Sequence, residues 1–307
     1  TLDEKGMKMS KSVGNTIAPE QVIKQYGADI LRLWVAQADY TADLRIGPEI
    51  LKNVADSYRR LRNTMRFILG NLNDFNESEK IDYSEMPELE QWVLHRLAEL
   101  DAVVRDGYAA YDFQGVFSQV FQFATVDLSS FYFDIRKDVL YCDDVNGTKR
   151  KAARTVLDIL FHRLTTWLAP MLCFTMEDVW LQRNHENETS IHLVDIPETS
   201  SDWLNGKVAS KWEAIRNVRR VVTGAIEVER TAKNIGSSLE AAPEVYFNSN
   251  VDLKSLSETV DFADICITSD IKLIDGKPSA QGFWLDEVPD IEVIFKKADG
   301  EKCMRCW

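Results

Sequence analysis

From Pro48 to Arg183 the sequence carries one helical pattern after another, and this run constrains the fold more than any other feature. Between Pro48 and about Leu69, the residues Ile50, Leu51, Val54, Tyr58, Leu61, Met65 and Ile68 recur at spacings of three and four, which places them on one face of a helix. Pro87 opens a second pattern through Leu89, Trp92, Val93, Leu97, Leu100 and Val104, with Asp106-Gly107 read as a stop or turn. A longer helix is predicted from about Phe113 to Val139, and Asn146-Gly147 marks the turn after it. Thr148 to Arg183 is helical in pattern but contains Pro170, which removes a backbone donor and predicts two helices or a bent one. Residues 47–185 thus read as four or five long helices joined by short loops, a helix bundle.

The flanks differ from this middle. Residues 1–18 read as a polar loop with Gly6 and Gly14, followed by short helices over Pro19–Tyr26 and Ala28–Ala36 separated by Gly27. Residues 186–205 are polar, with Pro197 and Asn205-Gly206, and predict a boundary. Beyond a helix over Val208–Thr231 come three short β-like runs, Glu244–Phe247, Ile265–Thr268 and Ile291–Phe295. The expected architecture is mainly α: residues 1–46 lead into a bundle over 47–200, a small α+β domain occupies 201–300, and residues 301–307 stand apart.

Composition excludes several classes. Hydrophobic residues make up 45% and charged residues 28% of the 307 positions, as in ordinary globular proteins. No apolar run reaches the roughly 18–20 residues of a membrane span. The polar N-terminus has no signal-peptide core, and without an initiator Met it reads as a segment of something longer. A net charge of −13 argues against coating nucleic acid by bulk charge and leaves local basic faces as the only route to it. Five widely spaced cysteines do not form a disulfide framework, which suits a reducing, cytoplasmic compartment.

Three groups of residues carry candidate chemistry. Lys8-Met9-Ser10-Lys11-Ser12 places two lysines three apart among serines, ahead of Gly14. Such a loop can close two movable point charges and two hydroxyls around a polyphosphate, and positive charge on a leaving pyrophosphate stabilises attack at the α-phosphate. On composition alone a solvated surface loop is the better reading. Lys52, Arg59, Arg62 and Arg66, spaced seven, three and four, share one helix face opposite much of the apolar stripe, where they can meet RNA phosphates or simply water. Lys149, Arg150, Lys151 and Arg154 open a later helix, where the helix dipole disfavours cations; an RNA phosphate or a solvated turn would account for them. Finally, Cys303 and Cys306 form a C-x-x-C, half of the ligand set of a structural zinc. The remaining Cys142, Cys173 and Cys266 are isolated, and His95, His162, His185 and His192 have no ligand spacing.

Lys8-Met9-Ser10-Lys11-Ser12 resembles the signature loop of the first class of aminoacyl-tRNA synthetases. Gly14-Asn15-Thr16-Ile17 with Pro19, and Gly27-Ala28-Asp29-Ile30-Leu31-Arg32-Leu33-Trp34, are similar to that family's downstream helices. Ala38 to Ile46 and the terminal Cys-x-Arg-Cys-Trp resemble its isoleucine-specific branch rather than the valyl or leucyl branches. Tyr58 to Phe67, Leu128 to Asp134, Leu168 to Thr175 and Ser190 to Pro197 are similar to its anticodon-binding domain, and Asn234 to Ala241 to a further string of that branch. By periodicity these aromatic-rich strings are core, and Asn234 to Ala241 is a glycine helix stop followed by a serine-rich turn.

The resemblance implies a catalytic role for Lys8 and Lys11, with Lys8, Ser10, Lys11 and Ser12 on the ATP phosphates and Met9 anchoring the loop by packing. It implies ATP with magnesium and one zinc in the full enzyme, isoleucine and tRNA(Ile) as partners, a monomeric state and a cytoplasmic site of action. No string resembles the family's His-Ile-Gly-His signature or its editing insertion. The expectation is therefore that this chain alone neither forms adenylate, nor edits, nor holds zinc stably at Cys303 and Cys306, and that it retains weak tRNA binding. A valyl- or leucyl-specific relative and a free-standing helical RNA-binding module are the competing readings; the intact loop argues against the second.

Overall fold

A computed structural model describes residues 1–184, 189–248, 256–278 and 280–300. The chain divides into two compact units, Thr1–Asn205 and Gly206–Trp307.

The first unit is a helical bundle with a short leader. Helices α1 (Pro19–Tyr26) and α2 (Ala28–Gln37) meet at Gly27, whose φ of 93° lies in the region that favours glycine. Then come α3 (Pro48–Asn71), α4 (Glu88–Ala109), α5 (Phe113–Gln122), a π-helical segment (Phe123–Tyr132), α6 (Phe133–Cys142), α7 (Thr148–Leu168) and α8 (Cys173–Asn184). The split at Pro170 falls as the sequence predicts. Helix α7 is the central member: Val156, Leu157, Leu160, Phe161, Trp167 and Leu168 are all fully buried. The Trp167 indole N–H donates to Asp101 Oδ1 at 3.2 Å, so the large ring is buried without an orphaned donor.

Two helices depart from expectation. Helix α4 runs through Asp106-Gly107 and ends at Ala109, with Tyr111 at φ 59°. Gly107 serves packing rather than termination, because a Cβ there would lie 2.4 Å from Val116 Cγ2 of α5. The long helix predicted from Phe113 is continuous to Cys142, but its middle widens into a π-helix. The Ser129 and Ser130 hydroxyls each donate at 2.8 Å to the carbonyl five residues back, on Ala124 and Thr125, which supports the wider turn. Nearby, Arg136 donates to both carboxylate oxygens of the fully buried Glu90, at 2.7 and 2.9 Å, and Tyr132 OH adds a bond at 3.0 Å.

The leader is tied to this bundle by polar contacts. Asp29 of α2 accepts from the Thr175 backbone N–H at 2.7 Å and its hydroxyl at 2.6 Å, so it satisfies free donors in the first turn of α8. Arg32 donates to the carbonyls of Pro170 and Met171, at 2.8 and 3.2 Å.

In the second unit, α9 (Gly206–Thr231) packs on a four-stranded sheet of β1 (Glu244–Phe247), β2 (Lys272–Asp275), β3 (Phe283–Leu285) and β4 (Val288–Ile294), in the order β2-β1-β4-β3. Strands β1 and β2 are parallel; the other two pairings are antiparallel. Val245 and Val293 pair on the buried side, and Phe283 packs beneath Gly224, where a Cβ would come within 2.6 Å of its ring. Ile265–Thr268 is not a strand. A short helix, α10 (Phe262–Cys266), occupies that stretch, capped by Asp261 and ended by Ile267 at φ 57°. The stop after α9 is carried by Lys233 at φ 60°, not by Gly236. The Ser237 to Glu240 stretch beyond it is a capping box.

Candidate phosphate loop and RNA-facing helix

The signature loop is held by a small backbone ladder. Leu2 bridges antiparallel to Lys8 and parallel to Arg45. Leu2 N–H donates to the Leu44 carbonyl at 2.7 Å, and Ile46 N–H to the Leu2 carbonyl at 3.0 Å. The base of the loop therefore lies against the segment that leads directly into α3. The loop then turns tightly: Gly14 N–H donates to the carbonyls of Ser10 and Lys11, at 3.2 and 3.3 Å, with Gly14 at φ 75°. Ser10 and Ser12 hydroxyls lie 3.1 Å apart, and Val13 N–H donates to Ser10 Oγ at 3.3 Å. Lys8, Lys11 and Ser12 are exposed, and Met9 is half-buried. Neither lysine makes an ion pair among the described residues. Two unneutralised ammonium groups and two hydroxyls thus stand on one short turn open to solvent.

Two residues outside the signature run organise it. Asp3 accepts from the Met7 and Lys5 N–H groups, at 2.8 and 3.0 Å, and from Asn15 Nδ2 at 3.0 Å. The Asn15 amide, followed by the Met7 N–H, holds the Asp3 carboxyl below its ordinary value. Next to it, Glu4 Oε1 accepts from the N–H groups of Glu49 and Ile50, at 2.6 and 3.1 Å. These are free donors of the first turn of α3, so a carboxylate from the leader serves as the cap of that helix. Gly47 leaves room for this cap, because a Cβ would come within 1.9 Å of the Glu4 side chain and push it aside.

Helix α3 carries Lys52, Arg59, Arg62 and Arg66 exposed on one side, while Leu51, Val54, Leu61, Met65 and Ile68 are buried on the other. Lys52 is 3.7 Å from Glu49, and Arg59 pairs with Asp56. Both pairs are solvated and hold their partners weakly. Arg62 and Arg66 have no ion pair among the described residues. Arg60, which the spacing argument passed over, is also exposed, with its guanidinium 5.2 Å from the ring centroid of Phe121.

The second basic cluster does not form a face. Lys149 is exposed at the start of α7 and Lys151 is half-buried. Arg150 turns back to the Leu140 carbonyl at 3.3 Å. Arg154, read as an RNA contact, is buried: it donates to the carbonyls of Asn71 and Asn73, at 3.2 and 2.8 Å, pairs with Glu79, and lies over the Phe75 ring. Burial lowers its guanidinium pKa, with Glu79 opposing. Three of its donors close the loop after α3, and burial turns the group away from solvent and from any phosphate there. Cys303 and Cys306 lie outside the described residues. Among the described residues no three metal-ligating side chains cluster, so no completed zinc site is assembled from them. Nor, among the described residues, is any helix long and apolar enough to cross a membrane.

The missed residues are those whose partners are distant or whose pairing crosses a turn. Glu4 reaches forty-five residues along the chain, to Glu49. Asp3 and Asn15 sit twelve apart. The only local signal for either was that Asn15 follows Gly14 in the string already noted.

Against known families, residues 90–246, just over half of the chain, match the anticodon-binding domain of tRNA ligase. The chain belongs to that family. Residues 1–47, which hold the loop, match the tRNA synthetases class I (I, L, M and V) model, and residues 48–89, which include α3, lie between the two matched regions. Among curated relatives, the chain is 63% identical to an isoleucine–tRNA ligase of Ruegeria pomeroyi, over all of this chain and 32% of that protein. It is 53% identical to the one from Agrobacterium fabrum and 51% to the one from Bradyrhizobium diazoefficiens, again over all of this chain and 31% and 30% of theirs. The chain spans about a third of the length of these relatives. A solved LeuRS–tRNA complex from Agrobacterium radiobacter K84 superposes with a TM-score of 0.48 at 16% identity, over 66% of this chain and 23% of that one, too weakly to argue from.

Proposed function

We propose that this chain supplies the ATP-phosphate loop and the tRNA-binding helices of an isoleucine–tRNA ligase. In that reaction isoleucine attacks the α-phosphate of ATP, giving an adenylate and pyrophosphate, and the acyl group then passes to tRNA(Ile). Lys8 and Lys11 would meet the phosphates of the magnesium-bound nucleotide, with Ser10 and Ser12 donating hydrogen bonds from the same turn. Lysine suits this position because a movable ammonium can follow charge as it migrates to the leaving pyrophosphate. On α3, Arg62 and Arg66, with Lys52 and Arg59 beside them, would contact the RNA backbone and orient the anticodon region.

The observation that carries this reading is that α3 presents unpaired arginines outward in a chain whose net charge is −13. Bulk charge repels RNA, so binding depends on local basic faces, and the α3 row is such a face. A cytoplasmic location and a monomeric state belong to the same proposal. The test is binding of the chain to tRNA(Ile) beside a tRNA of changed anticodon. Tighter binding of the matched tRNA is expected. Equal binding of both would remove anticodon reading from this chain.

A further inference from the structure

Asn15 grips the signature run at two points. Its Oδ1 accepts from Ser10 N–H at 2.9 Å, and its Nδ2 donates to the Lys8 carbonyl at 3.3 Å. The same Nδ2 donates to Asp3 Oδ2 at 3.0 Å. Asp3 Oδ1 accepts from Met7 N–H at 2.8 Å, at the foot of the loop. One amide therefore spans Lys8-Met9-Ser10, and a carboxylate decides which way that amide faces: a flipped Asn15 would set oxygen against oxygen at Asp3. The residue types are specific. Only a side-chain amide offers an acceptor to Ser10 and donors to Lys8 and Asp3 from one short stem, and only an ionised carboxylate accepts from Asn15 and from the backbone with no donor of its own.

We infer that Asp3 and Asn15 are positioning residues for the phosphate loop, holding Lys8 and Lys11 in register before a nucleotide arrives. This rests on the reading of the loop as a phosphate binder. Neither residue needs to touch the phosphates. Their effect is to remove the ordering cost that a free loop would otherwise meet on binding. The expected effect of removing the Asp3 charge is opposite in sign to simple electrostatics. Asp3→Asn removes a negative charge near two lysines, which by charge alone strengthens anion binding. Loss of the clamp weakens it.

The test uses the whole chain, isotopically labelled, with inorganic tripolyphosphate as the probe and Ser10 amide exchange as the direct report on the clamp. Wild type is expected to protect Ser10 N–H without ligand and to show saturable shifts with tripolyphosphate. Asp3→Asn and Asn15→Asp are each expected to expose Ser10 and weaken tripolyphosphate binding about tenfold. The combined Asp3→Asn/Asn15→Asp chain has the wild-type net charge but sets a carboxylate oxygen against the Lys8 carbonyl, so it is expected to stay about tenfold weaker than wild type, which separates clamp geometry from net charge. An unchanged thermal melt separates these local effects from unfolding. If wild type binds tripolyphosphate and Asp3→Asn binds it equally or better, the positioning role is overturned while the phosphate reading stands. If wild type protects Ser10 but shows no response to tripolyphosphate, the phosphate reading fails and the positioning role fails with it.

Discussion

Helices α3 and α7 both carry runs of arginine and lysine, yet they use them in opposite ways. On α3 the apolar stripe occupies one side, and Arg59, Arg62 and Arg66 stand in solvent on the other. Helix α7 is buried nearly all round from Ala152 to Leu168, so the arginines of that stretch have to find partners within the protein. Arg154 does so on the Asn71 and Asn73 carbonyls and Glu79, and Arg163 bonds to the Glu198 carbonyl. The chemistry of the side chain is the same. Its role follows from whether the helix sits at the rim or the centre of the bundle.

The contrast can be broken by substitution, and the largest effects belong to inward-facing charge. Glu90→Ala leaves Arg136 buried without its carboxylate, and a loss of about 3–5 kcal/mol in denaturant unfolding is expected. Arg154→Ala removes the donors that close the loop after α3, and about 1–3 kcal/mol is expected to go with them. Arg62→Ala is expected to stay within about 0.5 kcal/mol of wild type. If Arg154→Ala also left stability untouched while weakening RNA binding, the distinction between the two helices would collapse.

Two smaller effects sharpen the comparison at the start of α3. Gly47→Ala pushes Glu4 off the helix terminus and is expected to cost about 1–2 kcal/mol. Glu4→Ala should cost a similar amount, and the pair together little more than either alone, because both act on one cap. The smallest effect is a pH dependence. Asp3 has a depressed pKa in the folded chain, so its contribution to loop order is complete above the usual carboxylate range and is lost as pH falls through the lowered value. Ser10 amide protection, corrected for intrinsic exchange, should therefore persist to a pH below that at which an ordinary aspartate titrates, and then disappear.

Much of this arrangement could be read along the chain, because the bundle is made of long amphipathic helices whose periodicity survives without partners. The break followed from Pro170 itself, and the outward row on α3 from spacing. Other features were not legible, for identifiable reasons. Gly107 and Gly236 look like helix stops, yet Gly107 clears space for Val116 and the stop after α9 falls on Lys233. Ile265–Thr268 has strand composition, but Asp261 caps a helix over it and the Ile267 backbone reverses. The widened turn at Ser129 and Ser130 depends on hydroxyl bonds to carbonyls five residues back, which no hydrophobic period reports. In the candidate site, the lysines and serines were visible as a motif. Glu4, Asp3 and Asn15, which hold them, became visible only through their contacts, as did the inward turn of Arg154.

The most direct test of the account is the salt dependence of tRNA(Ile) binding by the chain, compared with Arg62→Gln/Arg66→Gln. If α3 meets the RNA backbone through these two guanidiniums, the double substitution lowers affinity and reduces the slope of log K against log salt by about one and a half, while stability stays as it was. An unchanged slope, with affinity intact, would contradict the assignment of α3 as the RNA-facing helix.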